Sequence, residues 1–439
     1  MQIHVIGLGV AQYVTLNLQA QSVLSNLTPQ DIVLGSPRQH DTLANYRHQA
    51  KIEVLPKLSQ LAAKFEQWQH QGASQVVVLA SGDPLFYGVG AWLERNFAGE
   101  ASSHTLSFYP NVSSIQAACH RLGMSLQDVH VVSLHGRPLS NLRRSLQANK
   151  RLVLLTDQYS QPAQIAAECV AAGLDQSELI VCEALGYEKE QVRHFSVADL
   201  LAKSAPSFDP LNVVVVKTSS SNKVQSSVYP SAPGIPDNAF VTDKGDGKGM
   251  ITKREVRLVI LSYLSLQDGD TVWDIGAGCG GVSVELAYWH PNSKVIAIEH
   301  HAKRLACLEA NQSRFGVTQN LTLVAGRAPA ALADLPLPDK VFIGGSDGEL
   351  SDLMAQVWCC LPLGGRLMVS AVTEDSKYQL MHFSTLREQA EDAEEQSVQL
   401  AVAKQDLLAG QRLYRPNLPV TLSLFIKTST ATNIQKDTK

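Results

Sequence analysis

One stretch limits the possible folds more than any other: Val272-Trp273-Asp274-Ile275-Gly276-Ala277-Gly278-Cys279-Gly280-Gly281. A short apolar strand runs into a glycine-rich turn, and Val282-Ser283-Val284-Glu285-Leu286-Ala287 open a helix behind it. Glycine is needed where backbone takes positive φ or passes close to a ligand. A helix N-terminus at such a place offers N–H groups to polar ligand atoms. Lys294-Val295-Ile296-Ala297-Ile298 make the next apolar run, and Glu299 ends it. An acid at that position can accept hydrogen bonds from both hydroxyls of a ribose. The spacing fits a dinucleotide site as well as an S-adenosylmethionine (SAM) site. The motif alone therefore predicts a nucleoside cofactor and leaves a nicotinamide-dependent oxidoreductase and a methyltransferase both open.

At 439 residues the chain is too long for one ordinary core, so two or three domains are expected. A formal charge of −4 gives no global basic field. That argues against sequence-independent nucleic-acid binding and disfavours an RNA-modifying methyltransferase. The seven cysteines are scattered, with no CxxC and no Cys/His ligand spacing. Neither a disulfide framework nor a metal site is expected, and a reducing compartment fits. Met1-Gln2-Ile3-His4-Val5-Ile6-Gly7 lacks the basic start and long apolar core of a signal peptide. No run approaches a membrane span. The expectation is a soluble cytoplasmic chain with no membrane partner.

The first half alternates strands and helices, which implies an α/β architecture. Ile3 to Ile6 form a strand that enters a short glycine turn, Gly7-Leu8-Gly9. Val76-Val77-Val78-Leu79-Ala80 is a continuous apolar run, as in a parallel strand buried on both faces. Ser81-Gly82-Asp83-Pro84 follow at its carboxyl end, the edge where ligands sit in open α/β sheets. Asn111-Val112-Ser113-Ser114-Ile115 start a helix with Asn111 or Ser113 as cap. Val129 to Leu134 lead into His135-Gly136-Arg137-Pro138, with Arg143 and Arg144 downstream. A solvated helix face accounts for such a cationic cluster; the sharper reading is a pocket rim for a polyanion, because Arg pairs bidentately with carboxylates. Residues 218 to 236, rich in Ser and Pro, read as a linker. In the second half Thr252 is placed as the cap of a helix from Lys253 to Leu264. Segments near 396–403 and 420–427 suit an antiparallel pair closing the sheet, and the polar tail from 428 to 439 reads as disordered.

Both halves carry resemblances. Residues 1–217 resemble the tetrapyrrole (uroporphyrin-III C/precorrin) methylases through Ser81-Gly82-Asp83-Pro84-Leu85-Phe86-Tyr87-Gly88, Pro110-Asn111-Val112-Ser113-Ser114-Ile115-Gln116 and Ser133-Leu134-His135-Gly136-Arg137. Residues 237–427, with the lead-in Gly234-Ile235-Pro236-Asp237, look like class I methyltransferases that methylate and decarboxylate a precorrin. The residues concerned are Ile251-Thr252-Lys253-Arg254-Glu255-Val256-Arg257, Trp273 to Gly278, Pro338-Asp339-Lys340-Val341-Phe342-Ile343-Gly344-Gly345 and Ala371-Val372-Thr373. The order of the halves is that of the bifunctional precorrin-6B C5,15-methyltransferase (decarboxylating) family of cobalamin biosynthesis.

That resemblance implies a tetrapyrrole-methylase fold of two α/β subdomains followed by a Rossmann-like class I domain. It implies SAM as cofactor, a precorrin substrate with or without cobalt, and a homo-oligomer. The reaction would be methylation at carbons 5 and 15 with loss of the ring C acetate carboxyl, giving precorrin-8. By matched positions it assigns SAM contacts to Gly82, Asp83, Ser113 and Ser114 in the first half. In the second half it assigns Thr252, Gly276, Ala277, Gly278, Cys279, Gly280, Glu299 and Ala328. A polycarboxylate substrate gives His135, Arg137, Arg143 and Arg144 a purpose. Asp347 and Glu374, in loops after strands, are the candidates for the proton donor that follows CO2 loss. Two positions depart from the family pattern: Gly7-Leu8-Gly9-Val10-Ala11-Gln12 replaces GxGPGD, and Glu374-Asp375-Ser376 replaces Leu-Glu-Ser.

Overall fold

The computed structural model describes residues 1–99, 104–204, 206–220, 230–245, 247–346 and 348–429. They form two compact units, one of Met1–Leu139 with Ala148–Asn222 and the other of Ser140–Gln147 with Lys223–Lys439.

The first unit holds two sheets. One contains β1 (Gln2–Gly7), β2 (Ile32–Gly35), β3 (Lys51–Val54), β4 (Gln75–Ala80) and β5 (Thr105–Tyr109). Its order is β3-β2-β4-β1-β5, parallel throughout. The side chains of β4 show why. Val76 and Val78 enter a core with Ile3, Ile32 and Phe65, while Val77 and Leu79 enter another with Ile6, Val33 and Leu24. A strand with apolar residues on both faces must be covered on both. Each such Val or Leu contributes about 1.5–3 kcal/mol when buried. Parallel strands end together, so Gly7, Gly35 and Ala80 share one edge of the sheet.

The other sheet contains β6 (His130–Ser133), β7 (Arg151–Leu155), β8 (Glu178–Glu183), β9 (Gln191–Ser196) and β10 (Asn212–Lys217), in the order β6-β7-β10-β8-β9. Only β6 and β7 run parallel. The helix Ser114–Arg121 leaves the first sheet and packs Ile115, Ala118 and Cys119 against Val153, Ile180 and Val213 of the second. Ser113 caps it through a reciprocal pair with Gln116. Asn111 instead donates from Nδ2 to the Gly7 carbonyl at 3.1 Å and so pins the first turn.

The second unit is built on β11 (Thr271–Ile275), β12 (Lys294–Glu299), β13 (Leu321–Ala325), β14 (Lys340–Ile343), β15 (Arg366–Ala371), β16 (Ala393–Leu400) and β19 (Val420–Lys427). The order is β13-β12-β11-β14-β15-β19-β16. Five strands are parallel, and β19 and β16 add antiparallel pairings. A separate hairpin, β17 (Ala403–Leu408) with β18 (Gln411–Pro416), lies between them in sequence. Alternation again sorts the core: Val272, Val295 and Phe342 face one side, and Trp273, Ile296 and Val341 the other.

The helix before β11 runs Arg254–Leu264, and Thr252 does not cap it. Its first free amide, Arg254 N–H, donates to Asp237 Oδ1 at 3.0 Å. The stretch expected as linker is anchored at both ends. Thr218 N–H donates to the Lys150 carbonyl at 2.9 Å, and the amides of Gly234 and Ile235 donate to Glu285 at 2.7 and 3.0 Å. Residues 221–229 of that stretch and 430–439 of the tail lie outside the described residues. Among the described residues no helix is long and apolar enough to cross a membrane.

Candidate functional site

In the second unit the chain leaves β11 through Gly276, Gly278 and Gly280 at φ 73°, 60° and 88°. A Cβ on Gly276 would stand 2.6 Å from the Gly345 carbonyl oxygen, and one on Gly278 would stand 2.5 Å from that of Met250. These two positions need glycine for the sign of φ and for space. The amides of the turn are already in use. Gly276 and Ala277 donate to the Ile298 carbonyl at 3.0 and 3.1 Å, and Gly278 donates to Glu299 Oε2 at 2.8 Å. Cys279 donates to Met250 and Gly280 to Ala277, each at 2.9 Å. The amides of Gly276 to Gly280 are thus spent within the protein, and Gly281 and Val282, which open the helix expected to offer N–H groups, are not among the residues lining the adjacent cavity. The carbonyls of Ala277, Cys279 and Gly280 are taken as well, by Gly280 N–H, Asn311 Nδ2 and Val284 N–H, so the turn contributes chiefly shape to its surroundings.

A cavity of about 310 Å³ opens beside the turn, at the carboxyl edge of the sheet. Thr252, Gly276, Ala277, Gly278, Glu299 and Ala328 all line it. Cys279 and Gly280 do not; the Cys279 thiol is fully buried. Glu299 is held by one backbone donor on each oxygen, Gly278 N–H on Oε2 and His301 N–H on Oε1, both at 2.8 Å. This fixes the carboxylate at the cavity wall while each oxygen keeps a lone pair. His300, Arg304 and Arg327 also line the cavity and went unnoticed in the sequence, where nothing in their spacing marks them. Glu374 does not line it: it opens the helix Glu374–Ala390 with its side chain 88% exposed and pairs with Lys377 at 2.7 Å. Asp347 lies outside the described residues.

Asp274 lies under the turn, fully buried, with Ser283 Oγ donating to its Oδ2 and no partner on Oδ1 among the described residues. Burial pushes its pKa up to about 7, with the negative Glu299 adding to the rise and the Ser283 bonds opposing it. A carboxyl whose folded pKa is raised binds its proton more tightly when folded. Stability then falls as pH rises from the unfolded pKa through the folded one. We expect the second unit to lose stability between about pH 4 and pH 7 through this group. Asp274→Asn should flatten that part of the profile, as read by urea titration at several pH values. A variant that keeps the wild-type slope would rule Asp274 out as its source.

The first unit has a larger cavity, about 740 Å³, between its two sheets. Gly82, Asp83, Ser113, Ser114 and His135 line it. The departed first turn is held by the Asn111 side chain on Gly7 and by backbone bonds. Gly9 N–H donates to Gly82 at 3.2 Å, Gly82 N–H donates back to Gly9 at 3.1 Å, and Gln12 N–H reaches Gly186 at 3.2 Å. Leu8, Gly9, Val10 and Ala11 line the cavity without the proline or the acid of the family pattern. Asp83 folds its own loop, accepting from the amides of Leu85 and Phe86 at 2.9 and 3.0 Å. Asp157, unmarked in the sequence, accepts from the amides of Gly136, Tyr159 and Ser160 and from Ser160 Oγ. Burial works against its charge, but these donors outweigh it and hold the carboxyl below the usual range.

The four candidate substrate residues separate. Arg137 stays outside the cavity lining, with its guanidinium carbon 5.6 Å from the ring centre of Tyr87, which does line it. Arg143 and Arg144 line neither cavity. Both belong to the second unit, where Arg143 donates to the carbonyls of Ser313 and Arg314 at 3.2 Å. Arg144 donates to the Ala287 carbonyl and Asn320 Oδ1 at 3.0 Å, and burial lowers its pKa from the ordinary value. Those two charges are used on backbone and side-chain oxygen atoms of the second unit.

Residues 2–201 match the family described as tetrapyrrole (corrin/porphyrin) methylases, and residues 242–427 match the precorrin methyltransferase domain. A precorrin-6Y C(5,15)-methyltransferase (decarboxylating) from Sinorhizobium sp is 39% identical over 349 residues, 79% of this chain and 79% of that one. The protein of the same name from Mycobacterium tuberculosis (strain CDC 1551 / Oshkosh) is 29% identical over 95% of this chain and 97% of its own. A crystal structure of a precorrin-6Y C5,15-methyltransferase from Geobacter metallireducens GS-15 covers 44% of this chain and 98% of its own, at 36% identity and a TM-score of 0.40.

Proposed function

The chain belongs to the precorrin-6Y C(5,15)-methyltransferase (decarboxylating) family, and from that membership we propose that each unit's cavity binds one SAM and delivers one methyl group to a precorrin. It is a decarboxylating C-methyltransferase of cobalamin biosynthesis, a two-domain enzyme whose family uses SAM. One observation supports a site in each unit above all others. Each has its own cavity at the carboxyl edge of a parallel sheet, and most of the matched cofactor positions line it.

The second cavity fits SAM by its chemistry. Glu299 brings to the cavity wall a carboxylate to which ribose hydroxyls can donate. When bound, SAM supplies a methyl group already activated on a sulfonium. The protein's task is then alignment and exclusion of water. This is consistent with cavity walls built largely from backbone and apolar side chains such as Ile251, Ile275 and Leu353. In the first unit the Gly82-Asp83 loop and Ser114 take the corresponding part. Loss of CO2 from the ring C acetate leaves electron density that the conjugated ring delocalises. The carboxyl that leaves is best kept away from a close cation, and a proton is then returned to carbon.

We assign the decarboxylating step to the second unit, the protein to the cytoplasm, and its assembly to a homo-oligomer without nucleic-acid partners. Incubating the full chain with SAM and the precorrin should give a product that has gained two methyl groups and lost CO2, as read by mass spectrometry. SAM, and not NAD, should raise the melting temperature, since only a true ligand stabilises the fold. A product without added methyl groups would refute the proposal.

A further inference from the structure

The Arg, Asp and His side chains that line the cavity of the first unit are Arg38, Asp83, His135 and Asp157. Three of them are occupied by the protein itself. The Asp83 and Asp157 carboxylates hold backbone amides, and His135 Nδ1 lies 3.3 Å from the Thr156 carbonyl. Arg38 is different. Its Nη2 donates to the neutral Ser81 Oγ at 3.3 Å, and no carboxylate pairs with it among the described residues. A guanidinium carries five donors, and one hydroxyl leaves most of them to solvent.

The position of Arg38 is fixed although its side chain is exposed. It sits in the helix Pro37–Thr42, which follows β2 at the edge where the cavity opens. Ser36 and Gln39 close a reciprocal cap on that helix. Gln39 Nε2 also donates to Ser81 Oγ at 3.2 Å, tying the helix to the end of β4. A planar, permanently charged fork is thereby held at a cavity wall whose two acids are already committed.

We propose that Arg38 binds a carboxylate side chain of the precorrin in the first unit and so sets which edge of the macrocycle faces the methyl donor. This rests on the reading that the cavity takes the polycarboxylate substrate. The fork matches a carboxylate bidentately, which a point charge does not. Arg38 thus does in the first unit what the sequence had offered to Arg143 and Arg144.

The test uses full-length protein, SAM and the precorrin, reading the methyl addition that is not accompanied by CO2 loss. Arg38→Ala should raise KM for the precorrin about tenfold or more, with a smaller change in kcat. Stabilisation by SAM should be unchanged. Arg38→Lys should recover part of the loss, because it restores charge without the fork. An unchanged KM in Arg38→Ala overturns the assignment, as does a loss of SAM stabilisation, which would place Arg38 at the cofactor. A wild-type chain that adds no methyl group overturns the functional reading itself, a result distinct from either.

Discussion

Glu299→Ala is expected to abolish SAM binding in the second unit while leaving the first unit's site intact. The carboxylate is 3% exposed and holds Gly278 N–H and His301 N–H while facing the cavity. In the proposed site its removal would cost two charge-assisted hydrogen bonds to the ribose, about 3 kcal/mol or more, which is roughly a hundredfold or worse in Kd. It also leaves two buried amides without an acceptor. Calorimetric titration should therefore find one SAM site in the variant and two in the wild type. The product should gain one methyl group and keep its CO2. Glu299→Gln preserves the shape and one acceptor oxygen, so it should fall between. Two sites of unchanged affinity in Glu299→Ala would remove Glu299 from the cofactor site.

The second large effect is on stability. Arg257 is fully buried and donates in four directions: to Glu285 at 2.8 Å, to Asp237 at 2.8 Å, and to the carbonyls of Thr252 and Ile235. Glu285, also fully buried, accepts from Gly234 N–H, Ile235 N–H and Trp289 Nε1–H as well. Removing one partner of a buried ion pair leaves an uncompensated charge and costs about 3–5 kcal/mol. For a unit of this size that is a fall of roughly 6–20 °C in Tm. Arg257→Ala should show it by scanning calorimetry. Many buried ion pairs can be replaced by apolar residues at little cost. Here the double replacement Arg257→Met with Glu285→Leu should stay destabilised, because the Gly234 and Ile235 amides still lack an acceptor. A Tm within about 2 °C of wild type for Arg257→Ala would refute this account of the network.

That network also explains part of what the sequence made legible. Gly234-Ile235-Pro236-Asp237 and Thr252 to Arg257 carry the family resemblance, and the structure joins them in one buried cluster. Their pattern reports architecture as much as chemistry. The long apolar strands were readable because burial on both faces leaves an unbroken run, as in β4 and β10. The short β3 and the solvent-facing β9 were not, because half or more of their positions are polar or exposed. The hairpin of β17 and β18 escaped for the same reason, being exposed along nearly its whole length. Glu299 and Gly276 to Gly278, which line the second cavity, could be singled out because spacing encodes them. Arg38, Asp157 and Arg304 were not, because they come from loops and helices brought to the cavities by tertiary contacts alone. Arg143 and Arg144 show the converse: a cationic cluster in sequence is silent about which oxygen atoms will surround it.

The place of β19 gives the second unit a particular dependence on residues that follow β16 by twenty positions. The last strand of this sheet among the described residues, Val420–Lys427, lies in the interior, with β15 on one side and β16 on the other. During synthesis β16 is therefore complete before the neighbour it must pair with exists. The sheet stays open until the ribosome has passed Lys427, whereas the ten strands described in the first unit are finished by Lys217. A truncation before Val420 would remove an inner rung and leave β16 with no strand to bind. For the second unit β19 is the keystone of the sheet it enters.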